Sequence, residues 1–576
     1  MPDPTNAEIA ALLDELGDLY ELDGAIIHRV TAYRNAAKAV RDATTSIAAR
    51  VRAGTVTEIP GIGKTLEEKL VALVETGEIP ATVKLRAKFP AGLVQMTRLP
   101  GLGPKRARKL FDELGIDSLD ALRTAAESQS LRAVKGFGPK FEATVLAALD
   151  AGAGEAPRGR VPLHDALAIA EPVLAALREH PASERVELAG SARRWVDSVK
   201  DLDIIATASD PAALAQAFAE LDLLESAGGI GAAGARGRTH SGLSIDLKIV
   251  APAQFGNLLQ HFTGSKQHNV ALREAAVKRG LHVSEYGVTD DATGETHHCE
   301  TEAEVYALLG LPYIEPELRE NRGELARDFV APTLVTVEDL RGDLHSHTTA
   351  SDGHGTIREM AQAALALGHE YLAVTDHSAS HGFGNDVSPK ELVAHMAAVR
   401  RVSDELDGIT LLAGSEVNIL TDGTLDYEDD LLAQLDWVVA SVHTSFAMTA
   451  QEMTDRIVRA IEHPLVDAIG HPTGRLIEQR AAYALDMDAI IEAAARTGTF
   501  LEINGSPRRR DLHDVHARAA VDAGVKLIIS SDAHRTTTLE NKRWGVATAR
   551  RAGLAPDAIA NTLPLDELLA LRAGRR

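Results

Sequence analysis

Between residues 343 and 534 the sequence repeatedly ends a short apolar run with a histidine or a carboxylate. DLHSHTTASDGH carries His345, His347, Asp352 and His354, and YLAVTDH carries Asp376 and His377. LLAGSEV ends near Glu416, WVVASVH at His443, VDAIGH at His471, and IISSDAH supplies Asp532 and His534. Imidazole and carboxylate without thiolate suit Mn²⁺, Zn²⁺ or Fe²⁺. Such ions generate a nucleophilic hydroxide near neutral pH and neutralise a phosphoryl oxyanion. One histidine at a strand end is usually structural; a succession of them points to a shared metal centre for phosphoester hydrolysis. SPRRRDL adds Arg508, Arg509 and Arg510, which could hold substrate phosphates beside it.

A second constellation lies in ELAGSARRWVDSVKDLDIIAT. Gly190 and Ser191 follow an apolar run and should open a helix, a place for phosphate oxygens. Asp201 and Asp203 are two apart in a strand-like run, so both point to one side. They would repel unless a cation lay between them. Asp246, in LSIDLKIV, is a third mid-strand acid. Three acids on neighbouring strands can hold two Mg²⁺ ions for in-line phosphoryl transfer.

Three glycine hairpins form a third set: IPGIGK with Gly61 and Gly63, LPGLGPK with Gly101, Gly103 and Lys105, and VKGFGPK with Gly136 and Gly138. Glycines permit close backbone approach, amides at a helix start face an anion, and the lysines add charge. Repetition favours phosphate binding over plain turns, and the three segments resemble helix–hairpin–helix motifs, which implies a grip on DNA backbone that reads no bases.

The surrounding elements must place these groups. With 576 residues, the chain should form several domains. Residues 1–85 and 86–150 read as helical DNA-binding domains, 151–162 as a small, polar linker, and 163–252 as an α/β sheet domain carrying the three acids. Residues 253–330 are mixed. From 331 to 576, apolar runs alternate with helical stretches, which predicts a parallel sheet or barrel. All strand C-termini of such a barrel open on one face, so ligands distant in sequence would converge there. The net charge of −23 excludes a basic coat; DNA contact must use local patches and backbone amides. The single cysteine, Cys299, excludes an intrachain disulfide and cysteine-based zinc sites. No apolar run is long enough to span a membrane, and the acidic N-terminus lacks a signal peptide's apolar core, so the cytoplasm is the expected compartment; a monomer is expected.

The acid set resembles the family X DNA polymerases, of polymerase beta type: G-S-x-R-R, then D-x-D, then a third Asp. Here these are Gly190, Ser191, Arg194, Asp201, Asp203 and Asp246. HFTGSKQHNVALR resembles the family's thumb, which implies that Phe262, Thr263 and Gly264 wall the sugar and that Asn269 and Arg273 face the nascent base pair. AYRNAAKAVRD and IPGIGKTLEEKL resemble the 8-kDa domain, implying Lys69 as a lyase nucleophile. Three departures bear on this: His261 replaces the tyrosine before F-T-G, Ser244 replaces an arginine two residues before the third Asp, and Thr65 replaces a second lyase lysine.

The C-terminal cluster resembles a PHP domain. That implies a distorted (β/α)7 barrel with a three-metal centre, Mn²⁺ or Zn²⁺, on His345, His347, Asp352, His377, Glu416, His443, His471, Asp532 and His534. Asp376 is then a supporting group. His354 is left open between ligand, substrate contact and loop surface; His369 and His395 read as bland helical histidines, and His381 as a loop residue. The whole implies helix–hairpin–helix domains, an α/β nucleotidyltransferase palm, a thumb and a PHP barrel. The resemblance implies a repair polymerase that takes dNTPs and gapped or nicked DNA, with 3′–5′ exonuclease activity and possible abasic-site endonuclease or 3′-phosphatase activity. Two alternatives are an end-processing nuclease whose palm only positions DNA, and a small-molecule phosphatase of the histidinol-phosphate type.

Overall fold

The computed structural model describes residues 3–150 apart from 44, 98 and 100, and residues 160–573 apart from 381 and 383–385. Most of the expected linker, 151–159, and His381 therefore lie outside the described residues. The chain divides into two compact units: Met1–Val161, Asp165–Glu187 and Lys200–Val250 form one, and Pro162–His164, Leu188–Val199 and Ala251–Arg576 the other.

In the first unit, short helices follow one another around an apolar core that includes Leu13, Leu16, Leu70, Leu93 and Leu110. The opening helix, Asn6–Leu22, starts from a capping box of Thr5 and Glu8. The unit's sheet runs in the order β1–β2–β5–β4–β3, with β1 at Ser183–Leu188, β2 at Asp201–Ala208, β3 at Leu224–Gly231, β4 at Gly234–Thr239 and β5 at Ser244–Ile249. Strands β2 and β5 are parallel, and β4 is antiparallel to both β5 and β3. Leu202, Ile204, Ile245 and Leu247 are buried between the more exposed Asp201, Asp203, Ser244 and Asp246, as a period of two demands.

In the second unit, helices Phe255–Thr263, Lys266–Val277 and Glu302–Leu308 pack with a three-stranded antiparallel sheet over Leu272, Val288, Tyr306 and Ile314. Seven strands follow: β6 (Gly342–Ser346), β7 (Tyr371–Val374), β8 (Thr410–Asn418), β9 (Trp437–Ser441), β10 (Ala468–Ile469), β11 (Phe500–Asn504) and β12 (Leu527–Ser530). Each pairs in parallel with the next. A parallel bridge from Ser346 to Ala533 joins the first strand to the end of the last, nearly closing a barrel. Leu344, Tyr371, Leu412, Trp437, Val439, Ala468, Phe500 and Ile528 form one inner apolar cluster with Leu568 of the final helix. The alternate positions, such as Leu372, Leu411, Val438, Leu501 and Ile529, pack in the outer cluster with residues of the surrounding helices.

Candidate active sites

The inner apolar layer predicts which side chains meet at the barrel mouth. Adding two or four residues to an inner position keeps the same face, and this leads from Leu412 to Glu416, from Val439 to His443, from Phe500 to Glu502 and from Ile528 to Asp532. Strand β6 is the exception. Its pairing with β7 shifts between Asp343 and Ser346, so His345 turns inward although Leu344 also faces in; a bulge re-aims a side chain in this way. Two of the groups sit on left-handed backbone, His471 at φ 29° and Asp532 at φ 54°. Such strain of about 1–3 kcal/mol collects at functional sites.

All nine carried-over residues converge. His347, Asp352, His377 and His534 form one group, His345, His347 and Asp532 a second, and His377, Glu416 and His443 a third, each with one donor atom per residue within 4.8 Å of the others. Glu416 is the hub. Its Oε2 lies 2.9 Å from His377 Nδ1 and 3.3 Å from His345 Nε2, and its Oε1 lies 2.9 Å from His471 Nε2 and 3.1 Å from His443 Nε2. Asp532 Oδ1 stands 3.3 Å from His347 Nε2, and Asp352 Oδ1 stands 3.3 Å from His534 Nε2. Burial lowers the His347 pKa to about 4, with help from His534 and His377. Burial also works against protonation of His345, but Glu502, Glu416 and Asp532 outweigh it and hold its pKa well above the ordinary value. His345 Nε2 and both ring nitrogens of His347 are buried without a hydrogen bond. Buried polar atoms without partners are costly, and these face carboxylates in a nitrogen and oxygen donor set with no thiolate. The site therefore fits divalent cations.

The ring of supporting groups is richer than the sequence reading. Glu502, fully buried in the run FLEIN, is outside the expected set, although it carries the same signal as Asp203, a carboxylate inside an apolar strand. Its Oε1 lies 2.8 Å from His345 Nδ1, and its Oε2 accepts from the His471 amide at 2.5 Å and from Asn504 Nδ2 at 3.1 Å. Asn504 also donates to Asp532 Oδ2 at 3.0 Å. Asp376 holds the turn that carries Asp352: it accepts from the Thr348 amide (2.7 Å) and from the Ser351 hydroxyl (2.6 Å). The supposedly bland His395 places Nε2 2.9 Å from Asp376 Oδ2. His369 sits 2.9 Å from the buried ammonium of Lys542. His354 is exposed and belongs to none of the three groups. Arg510 is not a phosphate holder: it is buried, and its guanidinium binds the carbonyls of Trp195 and Val196. Arg508 is exposed, and Arg509 lies 3.7 Å from Asp532.

In the sheet of the first unit, Asp203 pairs directly with Asp246, and Asp201 with Ser244. The three acids thus share one face in adjacent strands. Arg236, register partner of Asp246 on β4, places Nε 3.2 Å from Asp246 Oδ1. An arginine therefore reaches the third acid from the neighbouring strand, where the sequence has serine at 244. Among the described residues, the three tight donor groups all lie in the barrel.

In the second unit, Gly190 opens a single helical turn, Gly190–Arg193. Arg194 donates to the Thr263 carbonyl at 2.8 Å and to Glu320 at 3.0 Å, and Arg193 donates to the Thr263 hydroxyl at 2.8 Å. These contacts bring the G-S-x-R-R turn against the F-T-G turn. Asn269 Nδ2 donates to the His261 carbonyl at 2.7 Å, and a Cβ on Gly264 would lie 2.4 Å from Asn269 Oδ1. Asn269 thus braces the turn that Phe262 and Gly264 form, while Arg273 is exposed with Nη2 3.5 Å from His261 Nδ1.

The hairpins follow one pattern. Gly61, Gly101 and Gly136 have φ of 92°, 73° and 100°, which glycine adopts without steric cost. Gly63 and Gly103 cap the helices Lys64–Thr76 and Pro104–Leu114. A Cβ on Gly61, Gly63, Gly103, Gly136 or Gly138 would meet open space, so these glycines are not there for internal packing. Arg106 donates to the carbonyls of Gly101 (2.7 Å) and Gly136 (2.8 Å), joining the second hairpin to the third. Lys105 is exposed beside them. Lys69 is half-buried on the helix of the first hairpin, one residue before buried Leu70.

A parallel seven-stranded barrel with a histidine–carboxylate centre, combined with hairpin helices and a three-acid sheet, defines a nucleotidyltransferase fused to a metal-dependent phosphoesterase. Family models agree: a helix–hairpin–helix domain matches residues 4–79, a SAM-like helix–hairpin–helix tandem 94–151, the DNA polymerase beta thumb 258–320 and the PHP domain 343–506. The chain is 37% identical over 565 residues to "DNA polymerase/3'-5' exonuclease PolX" of Bacillus subtilis, covering 98% of each. Proteins named "Probable phosphatase" from Thermoanaerobacter sp. and Acetivibrio thermocellus are 30% and 33% identical over 38% and 33% of this chain, and 89% and 78% of their own lengths. The chain belongs to the family X DNA polymerases that carry a C-terminal PHP domain.

Proposed function

We propose that the chain fills short gaps in DNA by template-directed addition of dNTPs and trims 3′ ends with its barrel, in the repair of damaged DNA. The observation that carries the second activity is the convergence of nine donors, Glu416 and Asp532 among them, at the mouth of a nearly closed parallel barrel. The first rests on the three acids sharing one face, together with near full-length similarity to a named polymerase and exonuclease. Asp201, Asp203 and Asp246 would hold two Mg²⁺, and the nine barrel donors would hold Mn²⁺ or Zn²⁺. Bound there, such cations supply charge neutralisation at phosphorus and acidify water or a 3′-hydroxyl.

The chain's own residues do the rest. Asp246 lies nearest its arginine partner and would orient the 3′-hydroxyl. Glu502 and Asn504 fix the ring of His345 and the carboxylate of Asp532. Gly190, Ser191 and Arg194 would receive the nucleotide's phosphates, with Phe262, Gly264, Asn269 and Arg273 bounding its sugar and base. Gly61, Gly63, Gly101, Gly103, Lys105, Gly136 and Gly138 would present amides and charge to the DNA backbone, which explains how an acidic chain handles a polyanion. Lys69 would serve as the lyase nucleophile on an abasic sugar. We assign the protein to the cytoplasm and to a monomeric state. A product time course on a gapped duplex tests the whole: Asp203→Ala should stop extension and spare degradation, and His345→Ala should do the reverse. Wild-type protein that neither extends nor degrades would refute both assignments.

Similarity to proteins named as phosphatases over about a third of the chain favours a second reading for the barrel site, removal of a 3′-phosphate. A primer ending in 3′-phosphate should release inorganic phosphate before extension; persistence of the phosphate would exclude it.

A further inference from the structure

Within the second unit, the barrel holds the G-S-x-R-R turn by its backbone. Three consecutive carbonyls are taken by two barrel arginines. The Arg194 carbonyl accepts from Arg551 Nη1 at 2.6 Å, that of Trp195 from Arg510 Nη2 at 2.8 Å, and that of Val196 from Arg510 Nη1 at 3.1 Å. A four-residue helix cannot sustain itself, and the three carbonyls that follow this one, at residues 194–196, take their donors from more than 300 positions along the chain.

The contact is built throughout. Trp195 sits at φ 56°, strained for a bulky residue, and its ring meets Trp544 edge-on at 5.3 Å. Asp197 is bound by Arg475 at 2.7 Å and lies 3.5 Å from Arg510. Arg510 Nε donates to the Thr548 hydroxyl at 3.0 Å, on the helix Lys542–Arg551 that also carries Trp544 and Arg551. The side chain of Arg194 is tied to the same frame: Glu320 accepts from Arg194 at 3.0 Å and from Arg551 at 2.9 Å, while Arg551 also pairs with Asp514 at 3.0 Å. Arg510 is 1% exposed, and the Asp514 and Arg551 side chains are 2% and 9% exposed. Charges so buried interact strongly, and removing one partner strands the other.

We propose that the barrel, besides hydrolysing phosphoesters, is a working part of the polymerase nucleotide site: Arg510 and Arg551 are positioning residues that set the conformation of Gly190–Val196 and the direction of the Arg194 side chain. This rests on the reading above that Gly190, Ser191 and Arg194 receive the incoming dNTP. Neither arginine belongs to the barrel's nine-donor set, so the two activities should separate.

The test uses the full-length protein. Primer extension on a gapped duplex is measured against dNTP concentration with Mg²⁺, and 3′-end degradation with Mn²⁺ is measured on the same preparation. Arg551→Gln removes the charge that Glu320 and Asp514 share. It should raise the dNTP KM about tenfold, the effect of losing one charged hydrogen bond, with degradation at the wild-type rate. Arg551→Lys should recover part of the loss, because an ammonium can still pair with Glu320. Arg510→Lys keeps a charge for Asp197 but cannot hold two carbonyls, and should also raise KM. If Arg194→Ala raises KM and Arg551→Gln does not, the clamp is not a positioning device and the proposal falls. If Arg194→Ala leaves KM unchanged, the nucleotide reading of the turn falls first and the proposal with it. Equal loss of extension and degradation in both clamp variants would make the contact a stabiliser of the barrel alone, and would also overturn it.

Discussion

Glu502→Gln isolates the support of the metal ligands from the ligands themselves. The carboxylate is fully buried and divides its oxygens: Oε1 faces His345 Nδ1, and Oε2 accepts from the His471 amide and from Asn504. An amide of the same shape fails in either orientation. With its oxygen toward His345, the NH₂ group meets two donors, the His471 N–H and the Asn504 amide. With its oxygen toward those donors, the NH₂ group faces His345 Nδ1 and favours the tautomer protonated at Nε2, the nitrogen directed at Glu416. The first arrangement leaves buried donors unpaired at about 1–3 kcal/mol; the second blocks a ligand atom. Loss of such support costs about 10–100-fold in metal affinity or activity. The assay is 3′-end degradation titrated with Mn²⁺, with Mg²⁺-dependent extension as the control on the same sample. Degradation should fall at least about tenfold at limiting Mn²⁺ and recover partly at excess, while extension is unchanged. Degradation within about twofold of wild type across the titration would refute the tautomer argument, because the smallest loss on this scale is about tenfold.

Asp203→Asn, which keeps shape but removes charge beside Asp246, should cut extension by at least about a hundredfold, on the scale of losing one transition-state contact, and leave degradation intact; steady-state rates on a gapped primer report this. Gly136→Ala forces an L-residue to φ 100° and should cost about 1–3 kcal/mol of local strain, read as weaker binding to gapped DNA in fluorescence anisotropy with both catalytic rates at saturation preserved. Glu302 is paired with Arg193 and Arg319; burial opposes its ionisation, but the two guanidinium groups prevail and hold its carboxyl below the ordinary value. Its folded pKa is therefore depressed, so its stabilisation is present above the unfolded pKa and is lost as pH falls through the folded one. Melting temperature should drop with acid more steeply for wild type than for Glu302→Gln, which should be less stable at neutral pH; parallel curves would contradict this.

The sequence could be read furthest where chemistry and period coincide. The barrel ligands were legible because each stood at the end of an apolar run, and parallel strands bring such ends to one face. Asp201, Asp203 and Asp246 were legible for a similar reason, since a charge inside an apolar strand has no structural use. Glu502 carries the same signal, but its role rests on partners distant in sequence, His345 and the His471 amide, which no local pattern marks. Those arginines show the limit of local reading. A basic run looks alike whether it faces solvent, as Arg508 does, or is buried against backbone, as Arg510 is. The same holds for His395 and His369, which no helical pattern distinguishes from surface residues.

By itself the sequence determined the types of donor, the strand and helix periods that orient them, and the glycines that make each hairpin possible, because these depend on covalent structure and neighbours a few residues away. Only the tertiary structure decided that Asp203 stands opposite Asp246, that an arginine from the adjacent strand meets the third acid, that one glutamate becomes the hub of five histidines, and that barrel arginines hold the nucleotide turn. Each of these is a pairing between groups far apart in the chain. Register, closure of the barrel and burial fix such pairings, and no local pattern encodes them.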